Sequence, residues 1–145
     1  MLLDRYGRQI TYLRVSVTDR CNMRCVYCMP PEGVQLQSHA AVMRYEEIAE
    51  VVRVAASQGI REVRLTGGEP LVRLDLAELV RLIAAIPGIE DISLTTNGLL
   101  LGKYARSLAD AGLRRVNVSL DTLRPDRFTR ITRGADLSQV WQGLT

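Results

Sequence analysis

The chain has 145 residues, 47% of them hydrophobic and 24% charged, and carries a formal net charge of +3. This is the size and composition of one globular domain able to bury a core. No apolar run is long enough to span a bilayer, and Asp4, Arg5 and Arg8 interrupt the N-terminus too early for a signal-peptide core, so a cytoplasmic protein without a membrane partner is expected. Lys103 is the only lysine, all other basic residues being arginine, whose planar fork suits phosphate and carboxylate. No basic run or interleaved aromatic stripe points to a nucleic acid, and none is expected as a partner.

In chain order, Tyr12 to Val17 (YLRVSV) is a short β-rich run, followed by a cysteine-bearing loop and a long polar stretch. Residues 44–58 place Ile48, Val51, Val52 and Ala55 on one helical face, with Gly59 as a stop. Glu62 to Leu65 is the next strand. Asp75 and Glu78 form a capping-box pattern ahead of Leu76, Leu79, Val80 and Ile83, and Pro87-Gly88 ends that helix. Asp91 to Leu94 is a strand, and roughly 102–110 a helix stopped by Gly112. Arg115 to Leu120 is the last strand, before a helical start at Pro125 and a further helical segment from Leu137. Strand and helix thus alternate four times with short connections, which predicts an α/β fold with parallel strands and right-handed crossovers. Four βα units are too few to close an eight-unit barrel, so the expectation is an incomplete TIM-type (β/α) barrel spanning 1–145 and truncated inside a helical pattern. An open flavodoxin-like sheet is the structural alternative.

Function in parallel α/β folds sits at the carboxyl ends of the strands, and every unusual motif falls there. The first strand leads into the cysteine loop, the second into Gly67-Gly68-Glu69-Pro70, the third into Thr95-Thr96-Asn97-Gly98 and the fourth into Ser119-Leu120-Asp121. The three cysteines of the chain, Cys21, Cys25 and Cys28, are spaced C-x3-C-x2-C. An odd number in one cluster is a poor disulfide framework and suggests metal. Three thiolates on a 4Fe–4S cube leave one iron open to a substrate. A zinc site completed by His39, and a C-x-x-C redox pair at Cys25 and Cys28, are the competing readings, although His39 lies in a loose polar segment. Strand alternation puts Arg14 on a face with Ser16 and Arg64 on a face with Thr66. If those faces look into the barrel, both arginines demand an anionic or purine partner; otherwise they look outward at solvent or a helix. Arg73 is either a site residue or a solvated helix-entry residue, Asp121 a cap, Phe128 and Ile131 core, and Trp141 exposed.

The cysteine signature, with aromatic Tyr27 before its last cysteine, resembles the radical S-adenosylmethionine superfamily. Within it, Val15 to Asn22 (VSVTDRCN), Arg64 to Arg73 (RLTGGEPLVR), Thr95 to Gly98 (TTNG) and Val116 to Leu123 (VNVSLDTL) are similar to the GTP 3′,8-cyclase family of molybdenum cofactor biosynthesis, in order and over nearly the whole chain. The resemblance implies a 4Fe–4S cluster on Cys21, Cys25 and Cys28 whose open iron binds the amino and carboxylate groups of S-adenosylmethionine. It implies further contacts to that cofactor from Tyr27, Gly67, Gly68, Glu69 and Ser119, with Glu69 facing the ammonium group. It assigns GTP to Arg14, Arg64 and Thr95, and a 5′-deoxyadenosyl radical to the attack on its ribose. It implies an external electron donor and, as pathway partner, cyclic pyranopterin monophosphate synthase; a homodimer is compatible with it. A peptide-modifying radical enzyme and a non-catalytic metal-binding fragment are the alternatives. Members of the family are longer and hold a second cluster on late cysteines; no fourth cysteine exists here, so little cyclase activity is expected of this chain alone.

Overall fold

The structure is a computed structural model that describes residues 2–145. The first strand, β1 (Tyr12–Ser16), is followed by the cysteine loop and helix α1 (Tyr45–Ser57). Then come β2 (Glu62–Thr66), α2 (Leu76–Ala84), β3 (Asp91–Thr96) and α3 (Leu101–Asp110). The chain continues with β4 (Arg115–Val118), α4 (Pro125–Thr132) and α5 (Leu137–Leu144). The four strands pair in parallel in the order β1-β2-β3-β4, so each crossover returns the chain to the adjacent position.

The strand sequences dictate a two-faced sheet. Leu13, Val15, Val63, Leu65, Ile92 and Leu94 point to one side and pack under Ile48, Val52, Leu79, Val80, Ile83 and Leu108 of the first three helices. The other side carries Tyr12, Arg14 and Ser16 against Glu62, Arg64 and Thr66, with Asp91, Ser93 and Thr95 beyond them, and no helix among the described residues covers it. Consecutive strand order with helices on one face is the geometry of a barrel wall. It excludes the flavodoxin-like alternative, whose strand order reverses and whose helices cover both faces. The sheet is open, as an incomplete barrel requires.

Four details differ from the sequence reading. Val51 is 52% exposed, because the helical stripe of α1 is centred on Ile48 and Val52 and the wider face overruns it. Asp75 does not form a capping box. It adopts the left-handed conformation (φ 54°), and its main-chain carbonyl accepts the Glu78 N–H at 2.8 Å. The Glu78 carboxylate turns instead to Arg81 at 2.6 Å. The capping-box contact occurs at α1, where Glu47 accepts from the Arg44 N–H at 2.7 Å. Arg73 is partly buried and held in place: its guanidinium donates to the carbonyls of Val17 and Met43 at 2.7 Å each and stacks on Tyr45. Phe128 is buried, Ile131 only partly, and Trp141 is exposed.

Because a left-handed non-glycine residue costs roughly 1–2 kcal/mol, Asp75→Gly is expected to stabilise the fold despite glycine's larger entropy loss. The gain should reach up to about 1 kcal/mol. A denaturant midpoint unchanged or lowered in this variant would contradict the reading.

Candidate metal and cofactor site

The site is built on the carboxyl ends of β1, β2 and β3. Beyond β1 the segment Thr18–Arg20 runs to Cys21 in close backbone contact with the chain leaving β2. Gly68 N–H donates to the Thr18 carbonyl and Glu69 N–H to the Arg20 carbonyl, both at 2.8 Å. A Cβ on Gly67 would sit 2.5 Å from the Thr18 oxygen, and one on Gly68 2.3 Å from the Arg20 oxygen. Neither position admits a side chain without moving the approach to the cysteines.

Glu69 lies beneath this contact with 1% exposure. Its Oε1 accepts from Leu71 N–H at 3.0 Å and the Thr96 hydroxyl at 2.7 Å, and its Oε2 from Asn97 N–H at 2.7 Å. The carboxylate is occupied by donors at the end of β3, where hydrogen bonds offset the cost of burying its charge. Asn97 in turn donates from Nδ2 to Asn22 Oδ1 at 2.8 Å, so the network reaches the cysteine loop itself.

The loop is held from its other side by α4 and α5. Met23, between the first two cysteines, is buried with Phe128, Leu137 and Val140, and Cys21 and Cys25 flank that cluster. Arg24 N–H donates to the Thr132 carbonyl and Val26 N–H to that of Ile131, so loop amides satisfy the free carbonyls of the last turn of α4. Tyr27 is 66% exposed, and its hydroxyl donates to Asp121 at 2.8 Å. That carboxylate, with burial second, pushes the phenol well above its usual range. Cys28 N–H and Met29 N–H both return to the Cys25 carbonyl, closing the last turn of the motif.

All three thiols are free. Burial raises the pKa of Cys21, and the Glu69 carboxylate and Cys28 add to it against the Met23 N–H. Burial likewise raises Cys25, with Cys21, Asp121 and Cys28 adding to it and the Tyr27 hydroxyl opposing. A mononuclear site needs ligands converging on one ion, and among the described residues no three Cys, His, Asp or Glu side chains do so. His39 is exposed and its ring nitrogen pairs with Arg20 at 3.2 Å. The donor set suits a cube, where each thiolate takes a different iron.

The family model for the radical SAM superfamily matches residues 15–145. The chain belongs to that superfamily. A GTP 3′,8-cyclase of Pelotomaculum thermopropionicum is 62% identical over 141 residues, covering 97% of this chain and 43% of the relative. One from Moorella thermoacetica is 60% identical, with 97% and 44% covered. This chain therefore spans less than half the length of the curated relatives it matches. Among solved structures, a histidine-tagged anSMEcpe with bound AdoMet superposes with a TM-score of 0.69 at 23% identity, covering 92% of this chain and 38% of that one. The likeness shows that the fold of β1–β4 and their helices is shared with that protein.

Of the other residues singled out in the sequence, Ser119 lies just past β4, its N–H on the Thr96 carbonyl at 2.8 Å, and is exposed on the same rim. Arg14, Arg64 and Thr95 lie on the uncovered sheet face, the inner side of a barrel wall, and not on the side that the helices cover. Arg14 is exposed, and Arg64 is partly buried with its Nε on Ser93 Oγ at 3.2 Å. Asn22 and Thr96 lie within the quoted motifs but carry no individual role in the sequence, Asp121 has only a capping role there, and Met23 and Arg133 have no local signal that marks them.

Gly68→Ala is expected to destabilise the cluster-free chain by about 1–3 kcal/mol through overpacking against Arg20, read from urea unfolding; a neutral result would contradict the contact. In the same cluster-free chain, iodoacetamide should label exposed Cys28 before Cys21 and Cys25, whose raised pKa values leave less thiolate at neutral pH. Their labelling should accelerate as pH rises, and peptide mass spectrometry gives the order.

Proposed function

We propose that this chain carries the cluster-bearing part of a GTP 3′,8-cyclase, working in the cytoplasm at the first step of molybdenum cofactor biosynthesis. The identity of 60–62% to proteins of that name supports the family reading. The observation that carries the substrate is the pair Arg14 and Arg64. They are register partners on adjacent strands, on the polar face that leads up to the cysteine loop. Neither joins any ion pair among the described residues. Like charges on neighbouring strands destabilise a sheet, whereas two arginine forks side by side match a polyphosphate. Thr95 adds a hydroxyl on the same face, on β3.

In this reading Cys21, Cys25 and Cys28 would hold a 4Fe–4S cluster that leaves one iron without a protein ligand, and S-adenosylmethionine would bind beside it. When bound, the pair would relay one electron from an external reductant and supply the hydrogen-abstracting chemistry that no side chain can provide. The chain's own residues order and orient. Gly67 and Gly68 keep the end of β2 tight against the approach to Cys21, leaving main-chain groups for the methionine moiety. Tyr27, steadied by Asp121, and Ser119 border the cofactor on the rim. Glu69 anchors the floor through Thr96 and Asn97. Arg14 and Arg64 neutralise the phosphates of GTP and fix its distance from the loop. An external reductant and cyclic pyranopterin monophosphate synthase are the pathway partners in this reading, and a homodimer is compatible with it.

The test is anaerobic reconstitution with low-temperature EPR of the reduced protein, together with GTP binding by equilibrium dialysis. A 4Fe–4S signal that changes on adding S-adenosylmethionine is expected. Arg14→Ala and Arg64→Ala should each weaken GTP binding about tenfold or more, the worth of a charged hydrogen bond, while guanosine binding should not respond. Failure to assemble a cluster, or equal GTP binding by the double variant, would overturn the proposal.

A further inference from the structure

Arg133, the residue that follows α4, ends the helix in the left-handed conformation (φ 55°, ψ 49°), and the Gly134 N–H closes this cap on the Thr129 carbonyl at 2.8 Å. The cap accounts for the backbone, and glycine is its usual residue. It does not call for an arginine side chain, and that side chain is directed at the cysteine loop. Arg133 Nη1 donates to the carbonyl of Arg24 at 2.7 Å and to that of Met29 at 2.8 Å. These carbonyls lie on either side of Cys25 and Cys28, so one guanidinium nitrogen closes the C-x2-C segment into a ring.

Arg24 repeats the device one step earlier. Its Nη1 donates to the carbonyls of Cys21 at 2.8 Å and Met23 at 3.0 Å. Neither arginine joins any ion pair among the described residues. Two unpaired cations therefore direct their donors to four main-chain carbonyls of the three-cysteine loop. The Arg24 and Val26 amides, bound to the carbonyls of Thr132 and Ile131, complete the same attachment.

We infer that Arg133 is a positioning residue for the cluster, acting through the main chain of the loop. It holds Cys25 and Cys28 in a ligating arrangement and places a positive charge behind thiolates that would carry a net-negative centre. The inference rests on the cluster reading of the site. The left-handed backbone supplies a discriminating variant. Arg133→Gly removes the clamp but suits the backbone, so the cluster-free chain should melt close to the parent. At high pH, where both chains hold the thiolate and only access differs, its Cys25 should react with iodoacetamide about tenfold faster. After reconstitution it should lose its cluster to a chelator about 10–100-fold faster, the usual effect of removing a ligand's outer support. Its reduction potential should move to more negative values, because a nearby cation favours the more negative reduced state. Arg133→Lys keeps the charge with a shorter reach and should restore the potential better than the retention.

Unchanged Cys25 labelling in Arg133→Gly would overturn the clamp, whatever the fate of the cluster. A parent chain that binds no cluster, with faster Cys25 labelling in the variant, would overturn the cluster reading while keeping the clamp. Equal retention and potential in parent and variant would overturn the positioning role.

Discussion

Two glycines at the end of β2 press their backbone against Thr18–Arg20, and the rest of the site depends on that contact. A parallel sheet aligns strand ends, but it does not dictate the path of a loop that leaves one of them. Here the main-chain bonds from Gly68 and Glu69 extend the β1–β2 ladder past the last paired residues and carry the chain to Cys21 on a defined course. With a Cβ at either glycine the two backbones would stand apart. The glycines thus act within the protein itself, before any ligand is considered.

Around that contact the chain divides its work between a buried acid and two exposed bases. Glu69 gathers the ends of β2 and β3 from below, and its network reaches Asn22 in the loop. Arg24 and Arg133 gather loop carbonyls from outside. Met23 pins the middle of the loop into a small apolar cluster of α4 and α5, separate from the main core under α1–α3. The loop is therefore suspended between two bodies, the sheet on one side and the fourth unit on the other. Residues distant in sequence from the cysteines thus shape their environment.

Much of this architecture was legible from pattern. Alternating Val and Leu with Arg and Ser in β1 and β2 announced a two-faced sheet, and the helical stripes of α1 and α2 announced what covers one face. Motifs at four strand ends announced one rim. The errors were local and physical. Val51 fits the helical stripe but lies beyond its buried arc. Asp75 and Glu78 have capping-box spacing, yet the left-handed backbone at Asp75 aims its side chain elsewhere. Ile131 reads as core beside Phe128 but is only partly buried.

The order of residues determined the alternation of strand and helix, the cysteine spacing and the placement of every motif at a carboxyl strand end. Each of these follows from short-range periodicity or composition, which a linear string records. Tertiary structure decided that helices cover one face only, that Arg14 and Arg64 share the open face, and that α4 closes on the cysteine loop. Arg133 and the Arg24 carbonyl are 109 positions apart, and Tyr27 and Asp121 are 94. No local pattern encodes such a pair, because it forms only when the successive crossovers have brought both strand ends and the last helices to one rim.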